Sequence, residues 1–129
     1  MIYNMYNMVV RFGIIIFILS SCSQTKSIND RYHLLMGDPG EYSLVDSKGS
    51  NGLYPVWEIY YNDDIIYGVV ANTKDADESL TGTCDIFRIN LRDNKLIRQK
   101  FDKFLYEDYQ KFAELKKMTL GHRYRLSCN

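Results

Sequence analysis

The sequence predicts a small α+β domain: an antiparallel meander of about six strands with one C-terminal amphipathic helix packed on the sheet. Two patterns carry that class. Between Tyr32 and Phe101, apolar and polar residues alternate in short runs broken by turn-forming residues, and after Phe101 the apolar spacing lengthens to three or four. The length of 129 residues suits one such domain.

Tyr32–Met36 and Glu41–Val45 are short strand candidates joined by Gly37-Asp38-Pro39-Gly40, whose Pro-Gly pair favours a turn. A polar loop over 46–52 leads into the strongest pair, Tyr54–Tyr61 and Ile65–Ala71, connected through Asn62-Asp63-Asp64. A tight turn at Asp63 and Asp64 sets Tyr61 opposite Ile66 and Tyr60 opposite Tyr67. Strict alternation points Trp57, Ile59 and Tyr61 one way and Val56, Glu58 and Tyr60 the other. Cys84–Leu91 alternates again, with Phe87, Ile89 and Leu91 opposed to Ile86, Arg88 and Asn90. An Asp93-Asn94 turn then leads to Lys95–Phe101, charged and weakly apolar like an edge strand.

Phe101, Leu105, Tyr109, Phe112, Leu115 and Met118 form one stripe, with Glu107, Asp108, Lys111, Glu114, Lys116 and Lys117 between them. That is an amphipathic helix, and Gly121 is its expected stop. Residues 123–128 are left as a final strand or a tail.

Charge excludes some functions. Sixteen Lys and Arg balance 16 Asp and Glu, interspersed rather than gathered on a basic face, which argues against nucleic acid as a partner. The aromatic content of 14% argues against a disordered chain.

The first 22 residues carry the clearest message. Arg11 precedes the uninterrupted apolar run Phe12–Leu19, and Ser20, Ser21 and Cys22 follow it. A cation, a short apolar core and small residues at the exit make a secretory signal peptide; a spanning helix needs about 20 apolar residues. The exit Leu19-Ser20-Ser21-Cys22 resembles the lipobox of bacterial lipoproteins. The resemblance implies cleavage between Ser21 and Cys22, a diacylglycerol on the Cys22 sulfur, and membrane lipid as the first partner. Two or three acyl chains hold a protein to a bilayer where one does so only marginally. Ser23 is not the aspartate that resembles an inner-membrane retention signal, so in a Gram-negative host the expected location is the outer membrane, facing the periplasm. The expected organisation is a leader over 1–21, a lipidated tether over 22–29 and a single α+β domain over 30–129. From Tyr54 to Met118, the order of elements faintly resembles small envelope lipoproteins of uncharacterised function. That likeness supports the fold class and transfers no activity.

With Cys22 assigned to lipid, Cys84 and Cys128 remain as a candidate disulfide in an exported compartment, or as two separate thiols. A bridge would close a loop of about 45 residues, worth roughly 3–4 kcal/mol of chain entropy. Neither cysteine has a second ligand at a metal-binding spacing. Asp75, Asp77 and Ser79 match the first, third and fifth positions of an EF-hand loop, but Leu80 stands where glycine is required and Ile86 where the bidentate glutamate belongs. An acidic loop without metal is expected there. No motif for a nucleophile, a zinc hydrolase, a dinucleotide or a phosphate loop is present, so neither catalytic residues nor a cofactor are expected.

Eleven tyrosines, of which Tyr3 and Tyr6 lie in the leader, leave nine in the exported part. Tyr60 and Tyr67 beside Glu58 form a candidate interaction surface, since aromatics with an interleaved charge are enriched at interfaces. The competing reading is that the helix covers this face. The expected role is a non-enzymatic binding module acting on another envelope protein. The alternatives are an inhibitor or immunity-type lipoprotein, and an enzyme whose site sets His33 or His122 against an acid such as Glu58.

Overall fold

The computed structural model describes residues 24–38, 40–74, 80–124 and 128. They form eight strands and one helix: β1 (Gln24–Ser27), β2 (Tyr32–Met36), β3 (Tyr42–Asp46), β4 (Leu53–Tyr61), β5 (Ile65–Thr73), β6 (Leu80–Asn90), β7 (Lys95–Lys100), α1 (Lys103–Leu115) and β8 (Thr119–Arg123). The class is α+β, with every strand pair antiparallel. Neighbours run in chain order from β1 to β7, while β8 returns to β4. The expected lipobox, Leu19–Cys22, and the expected acidic loop with Asp75, Asp77 and Ser79 lie outside the described residues.

The Asp63-Asp64 turn has the expected register, with Tyr60 opposite Tyr67 and Tyr61 opposite Ile66. Asn62 builds it: its backbone N–H bonds the Ile65 carbonyl at 3.0 Å, and its Oδ1 accepts from the N–H groups of Asp64 (2.8 Å) and Ile65 (2.9 Å).

Two strands exceed the expected six. Gln24–Ser27, expected as tether, pairs with β2 from Gln24 opposite Met36 to Ser27 opposite His33. Its side chains are polar and mostly exposed. Backbone hydrogen bonds to an edge require no apolar alternation, so the composition gave no sign of a strand. The other is β8. Gly121, expected as the helix stop, lies within β8, because the helix ends earlier, with Lys117 in the left-handed region at φ 50°. A Cβ at position 121 would lie 3.0 Å from Ile59 Cγ2 and 3.3 Å from the Tyr61 ring, so β8 needs glycine to lie this close to β4.

One edge of β4 is therefore shared. β3 pairs with its first half (Leu53, Val56) and β8 with its second (Glu58–Tyr61). At the handover β4 bulges: Val56 faces Val70 and Glu58 faces Val69, leaving Trp57 as the extra residue. The bulge corrects the alternation expected for this strand. Val56 joins Ile59 on one face, and Trp57 packs with Ile86 and Cys84 on the other. Gly68 permits the bulge, since a Cβ there would lie 1.8 Å from the Glu58 carbonyl oxygen.

Each face has its own core. Away from the helix, Tyr32, Leu34, Leu44, Ile59, Ile66, Val70, Phe87 and Ile89 are at most 1% exposed. They come from β2 through β6, so the sheet curls around them. Asn51 ties the curl at one end, donating to the Tyr32 hydroxyl (3.0 Å) and the Asn94 carbonyl (2.7 Å). On the other face lies α1, capped by Asp102 Oδ1, which accepts from Phe104 N (2.9 Å) and Leu105 N (3.0 Å). Phe101, Leu105, Tyr106 and Tyr109 cover Trp57, Val69 and Ile86. Leu115, placed in the apolar stripe by its spacing, is exposed at the helix end.

Cys84 and Cys128 form a disulfide across 44 residues of chain. It holds Cys128 against β6 beside the Trp57 cluster. Reducing it is expected to lower unfolding stability by about 3–4 kcal/mol, read as a fall in the urea midpoint with a steeper slope, because the reduced unfolded chain is less compact; equal midpoints before and after reduction would refute this. A second expectation concerns Asp46, whose buried carboxylate accepts from Arg31 Nε (2.8 Å) and Nη2 (3.0 Å) and from the N–H groups of Lys48 (2.9 Å) and Asn51 (2.8 Å). The Arg31 guanidinium holds this carboxyl well below the usual carboxylate range. A depressed folded value means stability that is fully present above the unfolded value of about 3.9 and lost as pH falls below it. Asp46→Asn is expected to lower stability at neutral pH by about 1–3 kcal/mol and to flatten the acid limb of the stability–pH curve. An unaltered acid limb would count against Asp46 as its source.

Candidate functional site

The bulge turns Glu58 under the helix, where its side chain is 1% exposed. The carboxylate is surrounded by donors. Tyr106 Oη donates to Oε2 at 2.7 Å; Gln110 Nε2 donates to Oε1 at 2.9 Å; Arg123 donates to Oε1 through Nε and Nη2, both at 3.2 Å. Arg123 Nη2 also bonds the Tyr60 hydroxyl, and Tyr60 donates to Gln110 Oε1 at 3.2 Å. Tyr60, Tyr67 and Tyr109 stack in sequence with centroids 5.3 and 5.1 Å apart, and the Tyr67 hydroxyl donates to the Tyr109 carbonyl at 2.7 Å. Burial, reinforced by the Glu58 charge, pushes the phenols of Tyr60, Tyr67 and Tyr106 upward.

This geometry corrects the expected interaction surface. Tyr60, Tyr67 and Glu58 are 8%, 2% and 0% exposed, because α1 lies across them. Together they lock the helix and β8 onto the sheet, so they offer no surface to a partner. Sequence spacing assigned Tyr106, Gln110 and Arg123 no part in the cluster; they lie 48, 52 and 65 residues from Glu58.

The histidines do not meet Glu58 as catalytic partners. His122 stacks on Tyr42 with centroids 3.5 Å apart, its Nε2 is buried without a hydrogen-bond partner, and burial holds its pKa down. His33 lies on β2, opposite Val45. Among the described residues no group of three or more His, Cys, Asp or Glu could hold a metal ion, and no helix is long and apolar enough to cross a membrane.

An open groove lies along the other long edge of α1, over β5 and β6. Its more apolar part, an inner chamber of about 220 Å³ that is open to solvent on one side, is lined by Ile65, Leu105, Tyr109 and Phe112 together with Arg88 and Asp108. It continues past Ile65, Arg88 and Phe112 into a wider mouth of about 450 Å³ lined also by Asn62, Asp64, Asn90, Arg92 and Lys116. None of the ion pairs among the described residues involves Arg88, Arg92 or Lys116. The alternation of β6 already placed Arg88 and Asn90 opposite the Phe87 face, and in the structure that is the face on which α1 lies. That α1 would stop short of covering them was not visible in the sequence.

Comparisons with protein-family models, with curated proteins and with solved structures find no significant match to this chain. The site therefore stands on its own geometry.

The raised phenols give this lock a pH signature. Folded tyrosines with raised values stabilise the fold below the unfolded value of about 10, and that contribution fades as pH rises beyond it. Stability measured by urea is expected to fall between about pH 10 and 11.5, and absorbance titration should show these phenols ionising only as the chain unfolds. Tyr106→Phe, which strips one donor from a buried carboxylate, is expected to cost about 1.5–3 kcal/mol at pH 7. A loss below about 0.5 kcal/mol would show that the bond contributes nothing net.

Proposed function

We propose that this chain is a bacterial envelope lipoprotein, anchored through acylated Cys22, whose exported domain is a non-enzymatic binding module that uses the groove between α1 and β5–β6. The observation that carries the anchor is the placement of Leu19-Ser20-Ser21-Cys22 directly at the end of the apolar run. The Cys84–Cys128 disulfide supports export, because such bonds persist in oxidising compartments. Ser23 in place of aspartate favours the outer membrane where the host has one.

Binding rather than catalysis is favoured by where the titratable groups stand. Glu58 is saturated by its donors, and His122 is half-buried, with its ring stacked on Tyr42 and its Nε2 out of solvent. The open relief instead combines an apolar chamber with unpaired cations, the mix of many apolar and few polar groups that ligand sites use.

The sheet starts at Gln24, two residues past the proposed anchor. At about 3.5 Å per residue, the intervening chain spans less than about 8 Å. In this reading the domain rests against the headgroups, replacing the longer tether expected over 22–29.

Intact-mass analysis of protein extracted from membranes, with Cys22→Ser in parallel, tests the anchor. The expected result is a chain beginning at Cys22 with added acyl mass, and loss of both features in the variant. A diffusible chain without acyl mass would overturn it.

A further inference from the structure

We infer that the groove beside α1 takes a single-chain amphiphile with an anionic headgroup, its tail in the inner chamber and its carboxylate or phosphate among Arg88, Arg92 and Lys116. This deepens the binding-module reading above and rests on it.

The two halves of the groove are continuous, sharing Ile65, Arg88 and Phe112, and they differ sharply in character. The inner half offers aliphatic and aromatic walls. Its volume of about 220 Å³ is open to solvent on one side, so a tail lying in it is covered along part of its length. The outer half sets three cations, Arg88, Arg92 and Lys116, against one acid, Asp64. All three cationic residues are exposed and make no ion pair with the described acids, so an incoming anion displaces water rather than an existing partner. Guanidinium groups pair with carboxylate and phosphate through parallel N–H donors.

The C-terminal end of a helix ordinarily repels anions, but here three of the last four carbonyls are occupied. Those of Phe112, Ala113 and Glu114 accept from the N–H groups of Lys116 (2.9 Å), Met118 (3.0 Å) and Lys117 (3.2 Å). Asp108 borders the inner chamber and is not part of the mouth, so the headgroup sits toward Arg92 and Lys116.

Every described strand, α1 and the disulfide lie within residues 24–128. A chain of residues 22–129 carrying Cys22→Ser therefore keeps the whole fold and needs no detergent. Titration calorimetry below the critical micelle concentration would compare dodecyl phosphate, dodecyl maltoside and inorganic phosphate. Dodecyl phosphate is expected to bind saturably at one per chain, at least about tenfold tighter than either of the others. Arg88→Gln combined with Arg92→Gln is expected to weaken it about tenfold or more without moving the melting temperature, since both residues are exposed. Equal binding of the maltoside would overturn the headgroup assignment, and equal binding of inorganic phosphate would overturn the tail assignment. No saturable binding, or full affinity in the double variant, would overturn the site. Because the chain tested carries no lipid, each of these outcomes is independent of the mass measurement on Cys22.

Discussion

One buried charge organises this molecule. Moving a carboxylate out of water costs several kcal/mol unless donors replace its hydration, and Glu58 can be satisfied only when two distant elements arrive together. Helix α1 brings Tyr106 and Gln110, and β8 brings Arg123. Arg123 keeps half of its side chain in solvent, so the ion pair itself is partly screened and its net contribution is small. The stronger effect is on specificity. A helix rotated by one residue would withdraw Tyr106 and Gln110 from the carboxylate, and an unpaired buried carboxylate is among the costliest defects a small domain can carry. The aromatic stack of Tyr60, Tyr67 and Tyr109 then fills the space beside the cluster.

Glu58 is in position only because β4 bulges at Trp57. Without the extra residue, Trp57 and Glu58 would lie on opposite faces, and one of them would leave the space under α1. Gly68 is the condition for the bulge, because any side chain there would meet the Glu58 carbonyl. The bulge is also where β4 changes partner from β3 to β8. At that junction the Tyr42 ring stacks on His122 and the Tyr124 N–H donates to the Trp57 carbonyl at 2.6 Å, so the interrupted edge is closed by side chains and backbone alike.

Most of the fold was legible because it obeys local rules. Alternation marks β2 to β7, Asn62 and two aspartates set the central hairpin, and a change of period marks α1. Three features escaped those rules. β1 is held to an edge by its backbone and has no apolar face to betray it. The Trp57 bulge is a single-residue irregularity, and strict alternation carries any such slip onward as a face error. β8 was masked by Gly121, which reads as a helix terminator in isolation and acts as a site of close strand approach in the fold. The candidate site divided in the same way. Glu58, Tyr60 and Tyr67 were picked out by composition, yet whether they face solvent depends on where a helix some 50 residues later lies down. Arg88 lay on the correct face from the start, but its exposure depends on the width of α1's footprint.

The lock and the groove occupy opposite edges of the same helix, and this links structure to the proposed function. Tyr106, Gln110 and Ala113 face β4 and β8, whereas Leu105, Tyr109 and Phe112 meet the groove, with Tyr109 also closing the tyrosine stack. The groove wall is therefore fixed from behind by the hydrogen bonds of Glu58 and, near its N-terminal end, by the cluster around Cys84–Cys128. A wall already held in place loses little conformational entropy when a ligand arrives, so more of the contact energy appears as affinity. In the proposed binding role, Glu58 would act without touching the ligand. Loosening the lock would free the groove wall while leaving in place the larger core on the far face around Phe87 and Ile66, which contains no helix residue.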